Sequence, residues 1–112
     1  MVESELSLES MDAMDDYQAF VLSHIRNAGE RSMVTLMERV IGLSEECGEV
    51  SGVVKSALMA GRGADVSSLS YEVGDVLAYL VMICDCAGFR LSDAALNNAS
   101  KLAERTRELG DD

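Results

Sequence analysis

Proline and tryptophan are missing from this chain, and the remaining aromatics are three Tyr and two Phe in 112 residues. A sheet draws on β-branched and aromatic side chains, and proline interrupts helices, so these absences leave an all-α fold. Basic residues are scarce too, with nine Lys and Arg against twenty Asp and Glu, a net charge of −11. Such a surface has nothing to spare for neutralising a phosphate backbone, which excludes a nucleic-acid polymer as partner. A small anionic substrate stays compatible with this charge where a bound cation inverts the local field. The longest uninterrupted apolar run, Val76 to Cys84, is nine residues, against the ~20 that a membrane span needs. The opening MVESELSLES is acidic and polar, unlike a signal or transit peptide, so a soluble cytoplasmic protein is expected. Three cysteines, Cys47, Cys84 and Cys86, form no CxxC pair and read as buried, reduced thiols rather than a disulfide framework or zinc site. The lone histidine, His24, reads as a surface or helix-packing residue.

What the chain does have is apolar residues at helical period, punctuated by Gly and Ser. The length suits a single domain over 1–112. NAGERS at 27–32, GRGADVSS at 61–68 and AGFRLSD at 87–93 supply stop signals at Gly29, Gly61, Gly63 and Gly88, and N-caps at Ser32, Ser67 or Ser68, and Ser92. The expected fold is a four-helix bundle-like unit with helices near 10–28, 32–60, 68–87 and 92–109, and residues 1–9 frayed. The second helix carries an apolar stripe at Leu36, Val40, Leu43, Cys47, Val50, Val54 and Ala57, the period of a bundle seam. The third is apolar nearly all round from Val73 to Ala87, and Val34, Met37 and Ile41 lie off the stripe of the second. One chain of this size cannot cover all of that, so a homodimer or homotetramer is expected.

Within this pattern LSEECGEVSGVVK, residues 43–55, crowds Glu45, Glu46 and Glu49 together. Like charges at helical spacing destabilise a helix unless something positive sits against them. At 100° per residue Glu46 borders the seam, Glu49 flanks it on the same side and Glu45 points away. The third helix repeats the i, i+3 arrangement with Glu72 and Asp75, set in an otherwise apolar stretch. Carboxylates there must meet cations or stay hydrated in a cleft. Two helices each offering an i, i+3 carboxylate pair build an oxygen-rich cation site, and ligation without His or Cys favours Mg²⁺ or Mn²⁺. Solvated surface carboxylates are the alternative, and the better one for Glu45 taken alone. Gly48 and Gly74 sit beside these residues inside helices, where each costs about 1 kcal/mol relative to Ala, so a close helix approach at the cation site is expected. Asn98, Lys101 and Arg105, at i, i+3 and i+7 on the fourth helix, form one stripe able to grip phosphate oxygens. Spacing alone favours ordinary helix surface over a phosphate grip.

EECGE, then 22 intervening residues, then EVGD, followed by NASKLAER, resembles the EExxE…ExxD and N-x-x-K-x-x-x-R pattern of the MazG-like nucleotide pyrophosphohydrolases, an all-α superfamily. DDYQAFV is similar to the family's opening helix, and the resemblance spans roughly residues 14–107. It implies a four-helix unit that dimerises or forms a dimer of dimers. It further implies Mg²⁺-dependent cleavage of a nucleoside triphosphate between the α- and β-phosphates, giving a monophosphate and pyrophosphate. By motif position Glu46, Glu49, Glu72 and Asp75 would be metal ligands, and Glu45 matches the first motif glutamate of the catalytic set. Lys101 and Arg105 would bind phosphates, and Asn98 and Tyr79 would contact the nucleotide. Two alternatives stand beside this: a phosphoribosyl-ATP pyrophosphohydrolase of the same superfamily, and a non-catalytic helical oligomer with an acidic patch for a protein partner.

Overall fold

The computed structural model describes residues 5–110, which form four α-helices and, among the described residues, no strand: α1 Leu8–Leu22, α2 Met33–Met59, α3 Val66–Ala87 and α4 Leu91–Gly110. The all-α class is as the composition predicts. Of the stretch expected to fray, residues 1–4 lie outside the described residues, whereas Ser7 caps α1 by accepting from the Ser10 amide. The third helix starts earlier than the serines suggest, because Asp65 accepts the Ser67 and Ser68 amides and so takes the N-cap.

The largest boundary difference is at the end of α1, which stops at Leu22 rather than near residue 28. The Ser23 hydroxyl donates to the Phe20 carbonyl, and His24 Nδ1 lies 2.9 Å from the same oxygen. Further along, the Gly29 amide donates to Asp85 Oδ2 at 2.8 Å and Arg39 draws on the Asn27 carbonyl. Long-range partners thus claim backbone groups that a continuing helix would have used, and tertiary contacts override local propensity. His24 itself is exposed with its ring 4.5 Å from that of Phe20.

α2 and α3 form a long antiparallel pair. Cys86 Sγ lies 3.6 Å from the Ser32 carbonyl, Arg39 reaches the Met82 carbonyl, and Gly42 abuts Tyr79. By length and composition α3 would suffice to cross a membrane, with a mean hydropathy of 1.3 over 18 residues. It runs along α2, and Glu72, Asp75 and Asp85 all lie on the side facing that helix. Gly88 ends it in the left-handed region, at φ 90°, where the Phe89 amide returns to the Cys84 carbonyl. α1 and α4 pack on each other and on α3, joined by Ser92 Oγ donating to Asp15, the Leu91 amide donating to Gln18, and Arg90 bridging Asp15 and Asp93.

α2 touches α3 alone, so the arrangement is open. The radius of gyration is 17.0 Å, against ~13 Å for a compact chain of this length. The buried or half-buried residues on α2 are Thr35, Leu36, Arg39, Gly42, Leu43, Glu46, Val50, Val53 and Ala57. Leu36, Leu43, Val50 and Ala57 of the expected stripe do face inward, and the buried face is centred about 55° from that stripe, toward the carboxylates. Cys47 is therefore exposed, not buried, and Val40 and Val54 are 44% and 47% exposed. Cys84 and Cys86 are buried as expected. The reason for the rotation is the Arg39 guanidinium, only 3% exposed, which pairs with Asp85 and with Asn27 and must face α3 to do so. A buried charge fixes the face because leaving it unpaired costs far more than exposing a valine. Met33, Val34, Met37 and Ile41 on α2 and Val73, Leu77 and Leu80 on α3 remain on the surface.

Candidate functional site

The pairing of α2 with α3 decides which acidic residues meet. Glu46 sits on the α2 line that faces α3, and Glu72 and Asp75 lie one turn apart on the facing side of α3. One carboxylate oxygen of each lies within 4.8 Å of the others, and all three side chains are half-buried. Burial, and then the like charges of Asp75, Glu72, Glu49 and Glu45, push the Glu46 carboxyl above the ordinary carboxylate value. Among the described residues no lysine or arginine forms an ion pair with any of the three. A concentrated negative charge without a counter-charge is what a cation would relieve, and an all-carboxylate donor set fits a hard divalent ion such as Mg²⁺ or Mn²⁺.

The other residues singled out by the motif are placed differently. Glu49 and Glu45 are exposed and stand outside the three-carboxylate group, although both are close enough to act on Glu46. Tyr79 is half-buried one turn beyond Asp75, its ring lying against Gly42. Asn98, Lys101 and Arg105 are exposed on α4, which packs on α1 and α3 but does not touch α2, the helix that carries Glu46. The close helix approach expected at Gly48 and Gly74 is not there. A Cβ on either would meet nothing within 4 Å, whereas one on Gly42 would lie 2.2 Å from Tyr79 Cε1. The helices come together one turn away from the carboxylates, where a glycine in α2 admits an aromatic ring from α3.

Beyond Tyr79 the groove opens into a cleft of about 170 Å³ lined by Asn27, Thr35, Glu38, Arg39, Tyr79 and Met82. Sequence reasoning missed this cleft. Gly42 one turn before Glu46 and Tyr79 one turn after Asp75 were the available signal, but only antiparallel register sets them against each other. Arg39 also carried a signal, as a cation interrupting an apolar helix.

No curated protein and no solved structure matches the chain. The MazG nucleotide pyrophosphohydrolase domain matches residues 31–110, covering α2, α3 and α4 and leaving α1 outside. With most of its length matched, and its three carboxylates gathered across two antiparallel helices, the chain belongs to the MazG nucleotide pyrophosphohydrolase family.

Proposed function

We propose that this chain is a Mg²⁺-dependent nucleoside triphosphate pyrophosphohydrolase that releases a nucleoside monophosphate and pyrophosphate. The observation that carries the reading is the convergence of Glu46, Glu72 and Asp75, from separate helices, with no basic partner among the described residues. These three would hold the cation, and Glu49, one turn along from Glu46, is the fourth residue we assign to it. Mg²⁺, or Mn²⁺ in its place, supplies charge neutralisation at the triphosphate and lowers the pKa of a water. Glu45, near enough to act on Glu46 but outside the donor set, is the free carboxylate left to accept a proton from the attacking water. Tyr79 positions the nucleoside against the α2–α3 groove. Half-burial of the three carboxylates keeps part of bulk water away and strengthens each electrostatic contact.

Phosphate contacts remain for Lys101 and Arg105, with Asn98 beside them toward the nucleotide. Because α4 stays away from α2 within one chain, we assign this stripe to the carboxylates of a second copy. A homodimer, or a homotetramer built from two, would also cover Val34, Met37 and Ile41, which are 65%, 56% and 59% exposed. The cytoplasm, where nucleotides and Mg²⁺ are both available, is the setting this reading implies.

Pyrophosphate release from a panel of ribo- and deoxyribonucleoside triphosphates, with phosphoribosyl-ATP included, tests the proposal with and without Mg²⁺. Release is expected only with the metal, and Glu72→Gln should abolish it while leaving helicity intact. Absence of release from every compound would overturn the enzymatic reading and leave the helical interaction protein.

A further inference from the structure

Apart from Tyr79, the residues lining the cleft beside it have no role in the chemistry above, and that lining has a distinct polarity. Arg39 is 3% exposed, and its Nε is the one buried side-chain nitrogen or oxygen without a hydrogen-bond partner among the described residues. Such a group is costly in an enclosed site unless a ligand or water meets it. Asn27 spends its side-chain oxygen on the Arg39 guanidinium, so its amide N–H groups are left to donate. Glu38 has no ion pair or hydrogen bond among the described residues, so both its oxygens are free to accept. Tyr79 and Met82 add an apolar wall.

Position completes the picture. Arg39 and Glu38 precede Glu46 by seven and eight residues, ~10–12 Å along α2, and Tyr79 stands between the cleft and the carboxylates on α3. A triphosphate cannot occupy the cleft, because Glu38 would repel it. A flat, neutral ring attached through a sugar to phosphates at the carboxylates fits both the spacing and the charge.

Resting on the proposed activity, we propose that this cleft is the nucleobase site and that Glu38 and Asn27 select guanine. Guanine presents one acceptor, O6, beside two adjacent N–H donors, N1 and N2. The Asn27 amide donates to O6, and the Glu38 carboxylate accepts both N–H groups as a charge-assisted pair. Uracil offers one N–H flanked by two carbonyl oxygens, and the Glu38 carboxylate repels those oxygens. Cytosine and adenine each offer one amino group beside a ring acceptor and fall between.

The test is kcat/KM for GTP, CTP, ATP and UTP in the wild-type chain and in Glu38→Gln, an exposed position where folding is not at stake. The wild type should prefer GTP. In Glu38→Gln, GTP should fall roughly ten- to hundredfold, mainly through KM, and UTP should hold or rise. A wild type without preference for GTP, or a variant that leaves the nucleotide ratios unchanged, would overturn the assignment while leaving the hydrolase reading in place. Calorimetric titration with GMP and UMP separates the two readings if no triphosphate is hydrolysed. A GMP preference lost in Glu38→Gln would keep the cleft assignment, and no GMP binding would end it.

Discussion

Gly42→Ala is a small change with a sign that the structure dictates. On helix propensity alone the substitution should stabilise α2 by about 1 kcal/mol. The added Cβ, however, would lie 2.2 Å from Cε1 and 2.7 Å from Cζ of Tyr79, with a third ring atom at 3.0 Å. Ring atoms cannot give way as a flexible chain end can, so Tyr79 must swing or α3 must shift. Overpacking of this kind costs ~1–3 kcal/mol, which outweighs the propensity gain and leaves a net loss of about 1 kcal/mol. In a chain near this size that corresponds to a fall of roughly 4 °C in melting temperature. Removing the ring should reverse the sign: in a Tyr79→Ala background, Gly42→Ala has no clash to pay for and should stabilise. The assay is a double-mutant cycle by thermal unfolding, followed by circular dichroism at one protein concentration, with a coupling energy of ~1–3 kcal/mol expected. Equal effects of Gly42→Ala in the two backgrounds would refute the contact between Gly42 and Tyr79 as the point where the helices close.

Arg39→Met should destabilise by ~3–5 kcal/mol in urea unfolding, because it strands the largely buried Asp85 and frees the Asn27 carbonyl. The exposed Arg107–Glu104 pair makes the contrast, and Arg107→Ala should leave the urea midpoint where it was. Asp65→Ala should lower the melting temperature near neutral pH by removing the α3 cap. The Ser68 amide, then the Ser68 hydroxyl and the Ser67 amide, hold the Asp65 carboxyl below its ordinary value of 3.8. Its stabilisation is therefore complete above about pH 4 and is lost as pH falls through the lower folded-state value. The melting difference between Asp65→Ala and the wild type should shrink over that acid range, and a constant difference would contradict the capping role.

The number of helices and the identity of the acidic positions were legible in the sequence. Absence of proline and scarcity of aromatics removed the alternatives to helix, and glycine and serine placed most ends within two residues. Spacing at i, i+3 put Glu72 beside Asp75 and Glu46 beside Glu49 on their own helices, because that relation is local. Which carboxylates meet across helices is not local. It depends on the rotation of α2 about its axis, and the buried Arg39–Asp85 pair sets that rotation. The apolar stripe alone gave a face about 55° away. That rotation brought Glu46 to Glu72 and Asp75 and left Glu49 at the rim. It also exposed Cys47 and set Gly42 against Tyr79. The early end of α1 has the same origin, since Arg39 and Asp85 take backbone groups of the segment that follows it. Sequence by itself determined the elements, their charge and their family pattern, because these rest on composition and short-range periodicity. Tertiary structure decided register, rotation and the cleft, because a buried charge finds its partners only across the fold.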